Sequence, residues 1–294
     1  MDTRVEMMTI LEALNWVTDY LKESRIENPR LNGELLLAHS MHLSREQLYI
    51  RLNHQVREDE RKALEELVRR RASGEPLQYI LGRQEFWSIQ LKVDPRVLIP
   101  RPETEHLVEE AIRSLSKISS QKKRSVLELG TGSGAIAISL AKEVKNIILV
   151  ATDLSCEALR VARENAMKAS VSDQIRFVRG DLLTPFHMGV NFDLILSNPP
   201  YLSDADMGQI SREVRDHEPL LALRGGKNGL EFYQKLISQG PSYLKKGGWI
   251  LLEVGYGQAG RVCEMIEAEG RFGQPETVKD LSGIERVVKA QRKE

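Results

Sequence analysis

A glycine-rich turn between two apolar segments constrains the fold of this 294-residue chain more than any other feature. Residues 126–129 read as a short buried strand, and residues 135–141, which are small and apolar, read as a helix. Between them, Gly130, Gly132 and Gly134 allow a tight turn and a close approach of the backbone to a ligand. This order predicts an α/β domain, although such a turn is shared by binders of dinucleotides, phosphates and nucleosides.

Each of the next two predicted strands is followed by an acidic residue. The apolar run 147–152 ends at Asp153, at about the distance from the turn at which an acidic residue meets ribose hydroxyls in such folds. Asp153 could instead cap the helix that starts near Ser155. The next strand, 175–178, is followed by Asp181. Because ligands of open parallel sheets lie at the carboxyl ends of the strands, we expect these acids and the glycine turn to line one site.

The fourth predicted strand, 192–197, leads into Asn198, Pro199, Pro200 and Tyr201. Two successive prolines fix φ, remove two backbone donors and push the preceding residues towards extended geometry. The Asn198 side-chain oxygen and the Pro199 carbonyl then form a stiff acceptor surface, which suits the NH2 group of an amide or an exocyclic amine. Tyr201 adds a flat apolar face for a planar substrate group. A Pro-rich turn can also simply end a strand, and the glycine turn upstream is what favours a binding role here.

The order of these elements is typical of a methyltransferase that uses S-adenosyl-L-methionine and acts on an amino or amide nitrogen. Nucleoside-binding elements come first and the amine-binding turn comes fourth. The expected cofactor is therefore S-adenosyl-L-methionine, with S-adenosyl-L-homocysteine as product. Two alternatives remain open: an N-methyltransferase acting on DNA adenine or RNA guanine, and a non-catalytic nucleotide-binding scaffold.

The charge balance argues against direct binding of duplex DNA. Lys and Arg total 42, as do Asp and Glu, which gives a formal net charge of zero. A protein that displaces counterions from DNA usually carries a basic excess. The basic runs 69–71 and 122–124 are interpreted as solvated faces, although the first could contact an RNA-associated partner.

Cysteines, histidines and hydropathy bear on metals and on cellular location. Cys156 and Cys263 lack metal-ligand spacing and the six histidines form no ligand pattern, so no metal is expected. The first residues do not read as a signal peptide, and no apolar run is long enough to cross a bilayer. We expect a cytoplasmic monomer with no membrane partner.

The chain is expected to contain a helical part and an α/β part. Residues 1–75 show only helical periodicity, and Ser44 with Gln47 matches a capping box. This region is interpreted as a substrate-recognition domain, with a purely structural cap as the alternative. Residues 76–94 are predicted to be a linker with a β-hairpin, and residues 95–294 the catalytic domain.

Over nearly its whole length the chain resembles the release-factor glutamine methyltransferases, the HemK/PrmC family. Besides the glycine turn and Asn-Pro-Pro-Tyr, the resemblance is carried by residues 81–88, 98–105 and 218–230. Asn-Pro-Pro-Tyr alone also occurs in enzymes that act on adenine or guanine amines. Combined with the Ile-Pro-Arg-Pro-Glu-Thr-Glu stretch at 99–105, it is much more specific.

The resemblance implies a class I, Rossmann-like methyltransferase fold with a mostly parallel seven-stranded sheet and a small all-helical N-terminal domain. The last strands are expected at 249–254 and near Thr277 and Arg286, the latter two as an antiparallel pair. The implied reaction is methylation of the side-chain amide of the glutamine in the Gly-Gly-Gln loop of class I peptide chain release factors. This modification belongs to translation termination.

The resemblance also assigns residues. The cofactor contacts would be Glu128, Gly130, Thr131, Gly132, Ser133, Gly134, Asp153, Asp181, Leu182 and Asn198. The catalytic and substrate-binding residues would be Asn198, Pro199, Pro200 and Tyr201. Glu128 and Glu103 stand where many relatives have aspartate, and Leu182 stands where several have an aromatic residue near adenine.

Overall fold

The computed structural model describes residues 8–118 and 123–294, which form two compact units. The smaller unit comprises Met1–Gly82 and Arg212–His217, and the larger comprises Arg83–Ser211 and Glu218–Glu294. The segment predicted as a linker is therefore divided, because its helix belongs to the smaller unit and its hairpin to the larger.

The smaller unit is helical, as the sequence predicts. Its N-terminal helices are α1 Ile10–Glu23, α2 Pro29–Ser40, α3 Arg45–Ile50, α4 Glu58–Ala72 and α5 Leu77–Leu81. Leu14, Leu37 and Leu64 are fully buried in its core. The predicted capping box is present, since the Ser44 hydroxyl accepts from the Gln47 amide and the Gln47 side chain accepts from the Ser44 amide.

One arginine of the first basic run is buried, contrary to its interpretation as part of a solvated face. Arg71 is only 6% exposed. Its guanidinium donates to the Asn32 side chain at 2.8 Å, to the Glu75 carbonyl at 2.7 Å and to the Glu213 carboxylate at 2.9 Å. Glu213 belongs to the segment Arg212–His217 of the same unit. These partners compensate the buried charge, which the local sequence could not reveal.

The larger unit contains two sheets and most of the remaining helices. The strands are β1 Arg83–Phe86, β2 Ile89–Lys92, β3 Arg124–Leu129, β4 Ile147–Asp153, β5 Ile175–Arg179, β6 Phe192–Ser197, β7 Leu244–Glu253, β8 Glu276–Lys279 and β9 Glu285–Gln291. The later helices of the chain are α6 Glu105–Ser116, α7 Ala135–Glu143, α8 Cys156–Lys168, α9 Arg212–His217 (which belongs to the smaller unit), α10 Glu231–Gln239 and α11 Ala259–Glu269. Short 3-10 turns occupy Pro102–Thr104, Asp206–Gly208, Leu220–Ala222 and Gly240–Tyr243.

The main sheet has seven strands in the order β5-β4-β3-β6-β7-β9-β8. Strands β3 to β7 are mutually parallel, and β9 is antiparallel to both β7 and β8. The predicted mostly parallel sheet and its antiparallel closing pair are confirmed. Strand order runs outward from β3 in both directions, so the sheet has a switch point between β3 and β6, where open α/β sheets bind ligands.

The predicted hairpin is formed by β1 and β2, which pair outside the main sheet. Its two turn residues, Trp87 and Ser88, have φ of 51° and 56°. Two successive positive φ values give the turn that matches the twist of the strands it joins.

Two apolar clusters cover opposite faces of the main sheet. Along β6, Leu194 and Leu196 point into one cluster and Ile195 into the other, because successive side chains of a strand point to opposite faces. Leu107 of α6 lies in the first cluster, and Val262 of α11 in the second. The sheet is therefore buried between two layers, as parallel sheets require.

The second basic run also contains a buried residue. Arg124 begins β3, is 8% exposed and donates to the carbonyls of Lys145 and Ile118. The interpretation of residues 122–124 as a solvated face is thus wrong for Arg124, and Lys122 lies outside the described residues. In the described part of the chain, no helix combines the length and the apolar character that a membrane span needs.

Candidate active site

A cleft of about 200 Å³ opens at the carboxyl ends of the central strands, within the larger unit. It is lined by eight of the residues predicted from the sequence: Gly130, Gly132, Asp153, Asp181, Leu182, Asn198, Pro199 and Pro200. The glycine turn, the two acids and the Pro-Pro turn therefore share one site, as expected from strand order.

The three glycines of the turn have different structural roles. All have positive φ: 77° at Gly130, 54° at Gly132 and 84° at Gly134. A Cβ on Gly132 would meet nothing within 4 Å, whereas a Cβ on Gly134 would lie 3.2 Å from the Ala162 Cβ. Gly132 thus leaves the cleft open, while Gly134 lets the start of α7 pack against α8.

Asp153 connects the glycine turn with the start of α8. Its carboxylate accepts from the Gly132 amide and from the Ser155 amide, each at 2.9 Å. The helix cap is Ser155, whose hydroxyl accepts from the Ala158 amide, so the alternative role of Asp153 as the N-cap is wrong. Burial raises the pKa of Asp153. Because a carboxylate can accept about four hydrogen bonds, both oxygens keep acceptor capacity towards the cleft.

Four of the predicted cofactor residues do not line the cleft: Glu128, which precedes the turn, and Thr131, Ser133 and Gly134, which are part of it. Glu128 is fully buried, and its Oε2 accepts from the Thr131 hydroxyl at 2.8 Å. Its Oε1 has no partner among residues 8–118 and 123–294. Burial raises the pKa of Glu128 to about 7. Ser133 and Gly134 are also buried, so a direct cofactor contact by these residues stays a prediction.

The loop after β5 brings Asp181 and Leu182 to the cleft. Asp181 is exposed, while Leu182 packs against the second apolar cluster and adopts φ of 49°. A left-handed conformation costs a branched residue roughly 1–2 kcal/mol. The loop therefore presents an acceptor beside an apolar surface, in a backbone conformation that leucine rarely adopts.

Asn198 and Pro199 line the cleft. The Asn198 Nδ2 donates to the Thr104 hydroxyl at 3.2 Å. Among the residues that the structure describes, none donates to the Asn198 Oδ1 or to the Pro199 carbonyl. The use of these two oxygens as acceptors for a substrate amide stays a prediction.

Three glycines enclose the tetrapeptide. A Cβ on Gly225 would lie 2.7 Å from the Pro200 carbonyl oxygen, and one on Gly229 would lie 2.3 Å from that of Tyr201. A Cβ on Gly255 would lie 2.8 Å from the Tyr201 Cδ2. Distances this short exclude a side chain, so the glycines allow other segments to approach the turn closely.

Hydrogen bonds hold the far end of the tetrapeptide. The Gln258 side chain donates to the Tyr201 carbonyl at 2.9 Å, and the Leu202 amide donates to the Leu223 carbonyl at 3.0 Å. The Tyr201 ring packs against the second apolar cluster, and burial raises the pKa of its hydroxyl. Tyr201 is not among the cleft-lining residues, so its contact with a substrate stays a prediction.

A buried ion pair connects the two segments that carried much of the sequence resemblance. Arg101 donates to the Glu218 carboxylate at 2.6 Å, and the Ile99 amide donates to the same carboxylate at 3.3 Å. Glu218 is 5% exposed. The contact joins two segments that lie next to the cleft. Residues near this contact line the cleft although sequence reasoning did not single them out: Arg96, Val97, Leu98, Pro219, Leu221 and Ala222. No chemical motif marks them, and several lie only within the resembling segments 98–105 and 218–230.

The fold and the site together define a class I, Rossmann-like methyltransferase. The family model for the methyltransferase small domain matches residues 111–215, and the model for the PrmC N-terminal domain matches residues 12–82. A solved methyltransferase from Pyrococcus furiosus shares this fold, with a TM-score of 0.52 over 70% of this chain and 90% of that chain, at 21% identity.

Full-length relatives define the family. The chain is 41% identical over 288 residues to the release factor glutamine methyltransferase of Geobacter sulfurreducens, which covers 98% of both chains. It is 38% identical over 285 residues to that of Rhodopirellula baltica, covering 97% of this chain and 96% of the relative. The chain therefore belongs to the release factor glutamine methyltransferase family, and the resemblance inferred from its sequence is confirmed.

Proposed function

We propose that this protein transfers a methyl group from S-adenosyl-L-methionine to a glutamine of class I peptide chain release factors. The acceptor is the side-chain amide nitrogen of the glutamine in their Gly-Gly-Gln loop. The observation that carries the proposal is a pair of oxygens beside the glycine turn, Asn198 Oδ1 and the Pro199 carbonyl, to which none of residues 8–118 and 123–294 donates a hydrogen bond. A primary amide has two N–H groups to donate to two such acceptors.

The cofactor half of the cleft suits S-adenosyl-L-methionine. Gly130 and Gly132 leave no side chain between the turn and a ligand, and Asp153 keeps acceptor capacity for the two ribose hydroxyls. Asp181 can accept from the adenine amine, and Leu182 offers an apolar surface to the adenine ring. When bound, the cofactor supplies an electrophilic methyl group on a sulfonium.

The acceptor half would activate and aim the amide nitrogen. An amide nitrogen is a poor nucleophile because its lone pair is delocalised. Donation of both N–H groups to Asn198 and Pro199 increases electron density on nitrogen and points its lone pair at the methyl group. The new N–C bond forms as the S–C bond breaks, and one N–H proton passes to water. Well-oriented reactants gain roughly 7–11 kcal/mol from positioning alone.

The same acceptors account for selectivity against glutamate. A carboxylate has no N–H to donate, so Asn198 Oδ1 and the Pro199 carbonyl would both face an acceptor. Each such mismatch costs on the order of 1–3 kcal/mol. We propose that the helical unit, whose residues 12–82 match the family model of the PrmC N-terminal domain, contributes to recognition of the release factor.

A labelled-methyl assay tests the proposal. Purified protein is incubated with methyl-labelled cofactor and a class I release factor, and a release factor whose loop glutamine is replaced by alanine serves as control. We expect label in the first and none in the second. Label in both, or label only in DNA or RNA supplied in parallel, would contradict the proposal and favour the nucleic-acid alternative.

A further inference from the structure

A second buried glutamate lies on the acceptor side of the site. Glu253 ends β7, which runs parallel to β6 with Leu252 opposite Ser197. The next positions along the two strands are Glu253 and Asn198, so the carboxyl group lies beside the acceptor turn. Glu253 is 4% exposed, and a carboxyl group at this depth needs hydrogen-bonding partners.

The neighbours of the Glu253 carboxyl group come from the tetrapeptide and from the Pro-rich segment before α6. The Thr104 hydroxyl and the Asn198 side chain lie near enough to favour its charged form. Its Oε2 is buried and has no hydrogen-bond partner in the described part of the chain. Glu103 and Arg286 are its charged neighbours.

These neighbouring groups bear on which way the Asn198 amide faces. One N–H of Nδ2 donates to the Thr104 hydroxyl, whose own proton remains free to donate. A carboxylate at Glu253 can accept that proton and also the second N–H of Asn198. With both N–H groups directed at this network, Oδ1 must point the opposite way. If the Asn198 amide were rotated by 180°, its NH2 group would face the NH2 group of the substrate amide. Neither group could then accept a hydrogen bond from the other.

We propose that Glu253 is a positioning residue that, with Thr104, holds the Asn198 amide so that Oδ1 faces the substrate amide. The inference deepens the proposed function and rests on it. It adds to the acceptor turn a third segment of the chain, the end of β7, which no local motif identified.

The proposed role requires the charged form of Glu253, so kcat should depend on pH. Burial raises the pKa of Glu253 to about 7, with Glu103 raising it further and Arg286 opposing. As pH falls through about 7 the carboxyl group becomes protonated and loses acceptor capacity. In wild-type protein kcat should therefore fall as pH falls through this range, and Glu253→Gln should lack that acidic limb.

The first test separates positioning from folding and from cofactor binding. In Glu253→Gln one acceptor oxygen is replaced by an NH2 group, which halves the acceptor capacity that faces Thr104 and Asn198. Because Glu253 acts through Asn198, we expect kcat to fall by about 10-fold, less than the roughly 100- to 1000-fold for loss of a direct polar contact, with cofactor affinity and Tm close to wild type. Thr104→Ser should keep activity and Thr104→Val should lose it. Glu276→Gln, which changes an exposed carboxylate on β8, is the matched control.

The second test observes the amide itself and needs no substrate. The side-chain NH2 signals of Asn198 are assigned by their loss in Asn198→Asp, and their hydrogen exchange is compared in wild type and Glu253→Gln. We expect slow exchange in the wild type and faster exchange in the variant. Equal exchange rates overturn the inference, as does wild-type kcat in Glu253→Gln or a joint loss of Tm, cofactor affinity and kcat. If wild-type protein fails to methylate release factor, the proposed function fails, while the exchange measurement still decides the role of Glu253.

Discussion

The two halves of the cleft use glycine in opposite ways. In the cofactor half the glycines are in the turn itself, where Gly130 and Gly132 have positive φ and leave space for a ligand. In the acceptor half the turn contains two prolines, and the glycines are on the segments that surround it, including Gly225 and Gly255. The first half is thus shaped to admit a molecule, and the second to keep a short piece of backbone in place.

Each half also contains one buried glutamate whose pKa is raised to about 7 by burial: Glu128 behind the glycine turn and Glu253 behind the acceptor turn. Glu128 accepts a hydrogen bond from Thr131 of the glycine turn, whereas Glu253 lies beside Thr104 and Asn198 of the acceptor half. Similar burial therefore serves different ends. The comparison predicts that changes in one half alter cofactor binding, and changes in the other alter turnover.

The largest effect is expected at Asn198. Asn198→Ala removes the side-chain acceptor, and kcat should fall by roughly 100- to 1000-fold, the scale seen when one preorganised polar contact to a reacting group is lost. Cofactor affinity, measured by calorimetry, should remain within a few-fold of wild type. Asn191→Ala is the control, because Asn191 is exposed and, among the residues that the structure describes, its side chain donates only to the Gly189 carbonyl. Full activity in Asn198→Ala would remove the basis of the acceptor assignment.

A smaller but still large loss is expected when the enclosing glycines are enlarged. In Gly225→Ala the new Cβ would lie 2.7 Å from the Pro200 carbonyl oxygen, so the turn must move. Because displacement of a reacting group by about 1 Å can cost a factor of roughly 100, we expect kcat/KM for release factor to fall on that scale. Gly208→Ala, where a Cβ meets nothing within 4 Å, should have no effect. Equal activities of the two variants would contradict the conclusion that these glycines are needed for the close packing around the tetrapeptide.

In the cofactor half, Asp153→Ala should weaken cofactor binding by about 10- to 100-fold, since hydrogen bonds to a charged group contribute roughly 1.5–3 kcal/mol. At saturating cofactor, kcat should be nearly unchanged. Calorimetry with the cofactor and its demethylated product measures both affinities. An unchanged affinity would argue against ribose recognition by Asp153 and against the division of roles between the halves.

The last effect concerns stability and leaves binding and turnover aside. The folded-state pKa of Glu128, about 7, lies above its ordinary value of 4.5, so the folded state binds the proton more tightly. Stability should therefore fall as pH rises from about 4.5 to 7, by up to roughly 3 kcal/mol, and level off above that range. Glu128→Gln should be more stable than wild type at pH 8 and similar at pH 5 in urea denaturation. A variant that is equally destabilised at both pH values would refute the burial argument.

Local motifs predicted the part of the site that is built from consecutive residues. The glycine turn, Asp153 and Asn198 each follow a strand directly, so strand order alone placed them at one edge of the sheet. The choice of helix cap could not be made in the same way, because Asp153 and Ser155 are both good caps and only the backbone geometry distinguishes them.

What the sequence could not show depends on partners far apart in the chain. Glu253 reads as the end of an apolar strand until folding places it beside Thr104 and Asn198. Similarly, Arg71 and Arg124 resemble solvated charges until distant acceptors enclose them. The sequence around a charged residue does not show whether its side chain is buried, since the segments that cover the side chain are distant in the sequence.

The placement of Arg212–His217 has a consequence for engineering. The chain passes between the two units three times, after Gly82, Ser211 and His217, so the helical unit is not simply an N-terminal appendage. A fragment truncated at Gly82 would leave the guanidinium of Arg71 without its Glu213 counterion. Chimeras that exchange the helical unit between relatives therefore need two grafts, the leading helices and this short insert.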